Sequence, residues 1–95
     1  MKFVWDDKKN KINIRKHGID FSDTTEMFNH PMVIKLDECR DYGEDRWIGI
    51  GLLKHIIAVI VYTEQKVGNQ DVIRIISARK ATTYECNRYE KEIRY

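Results

Sequence analysis

The seven residues 56–62, which read IIAVIVY, restrict the fold of this chain more than any other stretch. Successive side chains of a β-strand point to opposite faces of its sheet. A strand that is apolar at nearly every position therefore has to be covered on both faces. The stretch predicts a strand near the centre of a sheet, with other elements packed against each side.

The chain around this strand alternates between apolar stretches and polar turns. Further strands are expected over residues 32–36, 46–53 and 72–77, joined by an acidic turn at 37–45, the pair Lys54-His55 and a turn at 64–69. Short connections of this kind join antiparallel neighbours. The second half of the chain therefore predicts a meander of four strands.

The N-terminal part of the chain carries the signals of a short strand followed by a helix. Residues 2–5 are the strand candidate. Asp6 is placed to cap a helix over residues 7–17, because a short acidic side chain accepts hydrogen bonds from the first free N–H groups. Gly18 is placed to end that helix, since glycine adopts the left-handed conformation that such an end requires.

A second helix is expected to start at Ser22 or Asp23 and to end before Pro31. If Asp23 is the cap, Glu26 lies three residues on and completes a capping box. Residues 78–95 predict a closing helix. The expected fold is α+β, a small antiparallel sheet meander with two N-terminal helices and one C-terminal helix, in the order β-α-α-β-β-β-β-α.

The chain has 95 residues, of which 42% are hydrophobic, and one domain over residues 1–95 is expected. The longest apolar run is far shorter than the roughly 20 residues that cross a bilayer. The first residues, MKFVWDDKK, lack the apolar core of a signal peptide, so a cytoplasmic protein without membrane contact is expected. Cys39, Cys86 and the histidines have no metal-ligand spacing, so neither a metal nor a cofactor is expected.

The charges are distributed unevenly, although the net charge is only +2. Lys and Arg exceed Asp and Glu by three over residues 1–20 and by four over residues 46–95, whereas acids exceed bases by five over residues 21–45. The two ends of the chain can thus form a basic surface and the middle an acidic one. A mixed, solvated surface explains the same counts.

An arginine, Arg74, stands in the middle of the apolar run VIRIIS. Its neighbours on the same strand face are apolar, and an unpaired guanidinium is costly to bury there. It therefore either pairs with a carboxylate or reaches a cleft that holds an anion. Arg79, with Lys80 beside it, follows within about 15 Å, and Arg46 joins the same cleft if the strands form a meander. Forked arginine donors suit a phosphate.

A purely structural explanation of these arginines is open at this point. Arg74 is within reach of a salt bridge to Glu64 or Asp71, and Arg79 is placed to cap the corner between the last strand and the closing helix. Structural ion pairs of this kind are common.

Four segments, in this order, resemble a known family: FVWDDKKNKINIRKHGIDF, GEDRWIGIG, VIVYTE and IRIISARKATTYECNRY. They are similar to the BrnT toxins of bacterial type II toxin–antitoxin systems, and the likeness runs almost from end to end. The resemblance implies a RelE-like ribonuclease fold and a toxin that cleaves messenger RNA and inhibits growth. It also implies a cognate, BrnA-like antitoxin with a ribbon-helix-helix part, in a hetero-oligomer that contacts operator DNA only through the antitoxin.

Metal-free RNA cleavage requires a base for the 2′-hydroxyl, stabilisation of the phosphorane and an acid for the leaving 5′-oxygen. The candidates for holding the scissile phosphate are Arg74 and Arg79, with Arg46 third. Glu64 is a candidate base. The residues expected to contact the RNA, or to relay a proton, are Lys8, Lys9, Lys80, Tyr62, Tyr89 and His17.

The family pattern often has a cation where this chain has Gln65 and Cys86. Two missing cations predict weaker RNA affinity. The alternative function is therefore a catalytically weak or inactive toxin-fold module that binds the antitoxin or RNA without cleaving it.

Overall fold

A computed structural model describes residues 1–38 and 41–93. The elements, in chain order, are β1 (Lys2–Val4), α1 (Asp7–His17), α2 (Phe21–Thr24), a 3-10 helix (Thr25–Asn29), β2 (Val33–Leu36), β3 (Trp47–Leu53), β4 (Ile56–Val67), β5 (Gln70–Lys80) and α3 (Thr83–Glu92). The strands form one five-stranded sheet in the order β1-β5-β4-β3-β2. The α+β class expected from the sequence is confirmed.

The apolar stretch that opens β4 lies inside this sheet, with β3 and β5 as antiparallel neighbours. Val59 and Ile60, whose side chains point to opposite faces, are 2% and 0% exposed. The prediction of a central strand covered on both sides is therefore confirmed. The sheet is mixed rather than wholly antiparallel, because β1 pairs in parallel with β5.

Each face of the sheet has its own hydrophobic cluster. Ile60 and Ile73 belong to the cluster shared with α2 and the 3-10 helix, and this side of the sheet is called the α1 face below. Val59 and Ile50 pack with Tyr89 of α3 on the other side, called the α3 face. The polar surface of α1 is explained by this arrangement, since the helix crosses the margin of the sheet at β5.

A β-bulge interrupts the pairing of β4 with β5. Val61 pairs with Ser77 and Tyr62 with Ile75, so Ile76 is the extra residue. A bulge shifts the alternation of side chains by one residue. Ala78 consequently belongs to the cluster on the α1 face, and residues 77 and 79 lie on the α3 face.

Both ends of α1 were predicted correctly. The Asp6 side chain accepts hydrogen bonds from the backbone N–H groups of Lys8 and Lys9, and Gly18 has a φ of 69°. The start of the second helix was wrong: Asp20 caps α2, and Glu26 instead accepts a hydrogen bond from the backbone N–H of Lys54. Because Asp20, three residues before Asp23, is the cap, no capping box forms between Asp23 and Glu26.

Two boundaries around β5 also differ from the prediction. The expected turn over residues 64–69 is limited to Gly68 and Asn69, because polar side chains at the solvent end of a hairpin can still pair in a ladder. The closing helix begins at Thr83 rather than at residue 78, since Ala78–Lys80 continue the pairing with β4. Thr82 and Glu85 form the capping box that starts α3.

Candidate functional site

Two of the arginines singled out in the sequence meet on the α3 face. Arg74 lies on β5 between Ile73 and Ile75, which both belong to the cluster on the opposite face. Arg46 immediately precedes β3. Strand β4 runs between the two, and Thr63, which pairs with Arg74, is 3% exposed beneath them. Positively charged side chains from two non-adjacent strands thus border one area of the sheet.

Glu44 joins these two arginines. The Nη2 atom of Arg74 donates to its Oε2 atom at 2.5 Å, and the Nε atom of Arg46 donates to the same oxygen at 3.3 Å. The side chains of Arg74, Glu44 and Arg46 are 41%, 28% and 21% exposed. Neither carboxylate considered in the sequence, Glu64 or Asp71, pairs with Arg74. We call Arg46, Glu44 and Arg74 the two-arginine cluster.

The loop before β3 supports this cluster from one side. The guanidinium of Arg46 lies over the ring of Tyr42, 3.8 Å from its centroid. The hydroxyl of Tyr42 donates to Asp37 at 3.2 Å. The backbone N–H of Asp37 in turn donates to the carbonyl of Arg46 at 2.7 Å. The loop therefore folds back on the residue that it precedes, which holds Arg46 in place.

Arg79 lies on the same face but is bound differently. Its Nη1 and Nη2 atoms donate to the two carboxylate oxygens of Glu85 at 2.8 and 2.9 Å. Nη1 also donates to the carbonyl of Lys80 at 3.3 Å. The paired hydrogen bonds lower the pKa of Glu85 to about 2 and raise that of Arg79. The pair fastens α3 to the end of β5, which is the corner role considered for Arg79 in the sequence.

The donors left over distinguish the arginines. A guanidinium carries five N–H groups. Arg46 and Arg74 each use one nitrogen in hydrogen bonds to the described residues, whereas Arg79 uses both of its terminal nitrogens. The two-arginine cluster therefore retains N–H groups that can donate hydrogen bonds to a phosphate at the surface. Arg79 retains fewer such groups.

A second basic feature lies beside the bulge of β5. A shallow cavity there is lined by Ile76, Ser77 and one side of α1, which contributes Lys9, Ile12, Asn13, Lys16 and His17. Ser77 follows Arg74 by three residues, about 10 Å along the strand. We call this the α1 cavity. Lys8 is exposed on the same helix but does not line the cavity.

Asn13 explains why α1 sits at this edge. Beyond the end of β1, no strand among the described residues pairs with the outer edge of β5. The Asn13 side chain accepts a hydrogen bond from the backbone N–H of Ala78 at 3.1 Å and donates to the carbonyl of Ile19 at 2.9 Å. Asn13 is 6% exposed. One buried amide thus attaches α1 to the bulged strand.

Four other candidates from the sequence lie elsewhere. Tyr62 and Tyr89 are 3% and 4% exposed and pack in the hydrophobic clusters, and burial raises the pKa of Tyr62 to about 12. Glu64 pairs with Ile73 and so lies on the α1 face, in a depression with Asp45 and other residues. Lys80 is exposed at the end of β5. None of the four joins the two-arginine cluster.

Sequence reasoning overlooked Glu44 and Tyr42. Both lie in the acidic turn, where a run of acidic residues indicates only a solvated loop. The spacing of Glu44 and Arg46, two residues apart, was available as a signal for a local pair. The contact of Glu44 with Arg74 was not, because it depends on the order of the strands.

In the described parts of the chain, no group of three or more His, Cys, Asp or Glu side chains is arranged to hold a metal ion. Within residues 1–38 and 41–93, no helix is long and apolar enough to cross a membrane.

Comparison with curated proteins gave no match. The model of one protein family, described as "Ribonuclease toxin, BrnT, of type II toxin-antitoxin system", matches residues 5–85, which is most of the sequence and includes both arginines of the cluster. The chain therefore belongs to the BrnT family of ribonuclease toxins.

Proposed function

We propose that this protein is the toxin of a type II toxin–antitoxin system and acts in the cytoplasm as a metal-independent endoribonuclease that cleaves messenger RNA and inhibits growth. The family membership supports a ribonuclease toxin. The observation that carries the rest is the two-arginine cluster, with free donors at the surface, about 10 Å along β5 from the α1 cavity. A single RNA backbone is long enough to contact both.

The phosphate roles follow from the donors that remain. Arg74 and Arg46 present N–H groups that can bind the phosphate oxygens as negative charge accumulates on the phosphorane. Arg79 is 42% exposed and contributes positive charge on the same face, although its terminal nitrogens already bind Glu85. We therefore assign the scissile phosphate to Arg74 and Arg46, with Arg79 third. From the sequence, Arg79 was expected to rank before Arg46.

His17 lies in the α1 cavity at the outer edge of β5, about 10 Å along the strand from Arg74, so we assign it to the flanking RNA rather than to proton transfer at the scissile phosphate. Lys9 and Lys16 line the same cavity and supply contacts to flanking phosphates. Glu64, on the opposite face of the sheet, is less suitable as the base that was expected of it. The reaction transfers the 2′-hydroxyl proton, forms the new 2′-O–P bond and breaks the bond to the 5′-oxygen, which gains a proton.

The test of the activity uses purified protein and an end-labelled RNA in the presence of EDTA. We expect fragments that end in a 2′,3′-cyclic phosphate and begin with a free 5′-hydroxyl. Arg46→Ala is expected to slow cleavage at least tenfold while the circular dichroism spectrum stays unchanged. Loss of all activity on chelation would exclude the metal-independent mechanism.

The proposed partner is a BrnA-like antitoxin with a ribbon-helix-helix part, bound in a hetero-oligomer that contacts operator DNA through the antitoxin. The family description implies an antitoxin. The edge strand β2 adds support, because Ile34 and Leu36 on it are 49% and 37% exposed. Expression of this chain alone should arrest growth, and co-expression of the neighbouring gene should restore it.

The second candidate function is RNA or antitoxin binding without cleavage. The carboxylates on Arg74 and Arg79 favour it, since an RNA phosphate has to share or displace them. The same RNA assay separates the two functions. A pure binder retards the RNA in a native gel but leaves its length unchanged.

A further inference from the structure

The two arginines of the cluster reach one carboxylate oxygen from strands that are not neighbours. Arg46 precedes β3 and Arg74 lies on β5, with β4 between them. Adjacent strands are about 4.8 Å apart, so the two backbones are separated by about 10 Å. Glu44 closes that distance, because both guanidiniums donate to its Oε2 atom.

The position of Glu44 is determined by the loop rather than by a flexible end. Gly43, with a φ of 73°, turns the chain just before it, and the backbone N–H of Gly43 donates to Asp41 at 2.9 Å. Arg46, two residues later, is held by the ring of Tyr42. The loop thus directs Glu44 across β4 towards Arg74.

Two like charges at this spacing repel each other and, unpaired, each side chain samples many rotamers. An arginine side chain loses rotamer freedom when it is held in one geometry. A shared carboxylate offsets both effects before any RNA arrives. It does so through one donor nitrogen on each arginine, and the remaining donors stay available.

We infer that Glu44 is a positioning residue, which holds Arg46 and Arg74 in one preorganised site for a phosphate of the RNA backbone. The inference rests on the proposed function and assigns a residue to it. Glu44 does not react. It fixes the distance and orientation of the two guanidiniums, so that the phosphorane meets donors that need no rearrangement.

The first test is the kinetics of Glu44→Gln, with Glu38→Gln as the matched control, because Glu38 is an exposed acid in the same loop. Replacing the carboxylate with a neutral amide raises the net charge by one and weakens the hold on both arginines. We expect kcat to fall at least tenfold while KM stays within about twofold of the parent, so that kcat/KM falls as well. Glu38→Gln should change neither. Circular dichroism and thermal unfolding confirm that both variants are folded.

The second test measures coupling between the arginines with an RNA whose 2′-hydroxyls are replaced by hydrogen, which cannot be cleaved by this route. Arg46→Ala and Arg74→Ala are made singly and together. In the parent background, either single substitution should weaken binding of this RNA nearly as much as the double substitution does, because the loss of either arginine breaks the shared site. In the Glu44→Gln background, the two effects should become additive.

Each outcome has one interpretation. A higher kcat/KM for Glu44→Gln would overturn the inference, because it would mean that the carboxylate competes with RNA. Cleavage by the parent combined with additive arginine effects would also overturn it but leave the proposed function standing. Binding with coupled arginines but no cleavage by the parent would support the role of Glu44 and reject the nuclease activity. No binding of RNA by the parent would reject both.

Discussion

The ion pair between Arg79 and Glu85 leads to a quantitative prediction about stability. The change is Glu85→Gln, which removes the charge but retains an oxygen that can accept the hydrogen bond from the backbone N–H of Thr82. Glutamine serves in a capping box as glutamate does. The variant therefore isolates the ion pair from the helix cap.

The magnitude follows from the pKa of Glu85, which the guanidinium of Arg79 and the hydrogen bonds of the cap lower from 4.5 to about 2. A fall of this size on folding corresponds to at most about 3 kcal/mol at neutral pH. The Arg79 side chain is 42% exposed, so solvent screening reduces the expected value to about 1–2 kcal/mol. For a domain of this size that lowers the Tm by about 5–10 °C.

The pH dependence has a definite sign. Because the folded-state pKa lies below the ordinary value, the pair stabilises the protein above pH 4.5 and loses its effect as the pH falls from 4.5 towards 2. The parent should therefore lose more stability over this window than Glu85→Gln does. Urea unfolding followed by circular dichroism at pH 7, 5 and 3 measures the difference.

The control is Glu92→Gln, since Glu92 pairs with Arg88 one helical turn away in an exposed geometry. Such a pair is worth about 0.5 kcal/mol or less. If Glu85→Gln unfolds at the same urea concentration as the parent at pH 7, or if both lose stability in parallel below pH 4.5, the structural role given to Arg79 is wrong.

Three further predictions concern the core and the α1 cavity. Asn13→Ala should lower the free energy of unfolding by about 2–3 kcal/mol, because it removes two buried hydrogen bonds; amide hydrogen exchange at Ala78 should rise with it. Gly51→Ala should cost about 1–3 kcal/mol in urea unfolding, since a Cβ there would lie 2.7 Å from the Cγ of Met32; unchanged stability would mean that Met32 moves freely. In a filter-binding assay, the log of the affinity for single-stranded RNA is plotted against the log of the salt concentration, and Lys9→Gln and Lys16→Gln should each reduce the slope by about 0.7. An unchanged slope would mean that the RNA binds outside the α1 cavity.

The elements that rest on local chemistry could be predicted from the sequence. Residues 56–62 required a covered strand, and Asp6 and Gly18 marked the ends of α1 because their side-chain chemistry acts within one turn. The second helix was misplaced since Asp20, Ser22 and Asp23 are all good caps and local rules do not rank them.

The features that rest on pairing between distant strands could not be predicted. The bulge at Ile76 has no glycine or proline to mark it, yet it brings Arg79 to the same face as Arg74. Five residues of regular strand would have placed them on opposite faces. Glu44 reaches Arg74 across 30 residues of sequence, and only the order of the strands brings them together.

Arg74 is proposed to bind the reacting phosphate, and a comparison of cleavage rates tests this role. Single-turnover cleavage of a labelled RNA is measured in EDTA for the parent, for Arg74→Ala and for Arg88→Ala, where Arg88 is an arginine of α3 that also pairs with a carboxylate. We expect a loss of about 100-fold or more for Arg74→Ala, as for removal of one donor to a developing oxyanion, and a change within about twofold for Arg88→Ala. Cleavage by folded Arg74→Ala at the rate of the parent would contradict it.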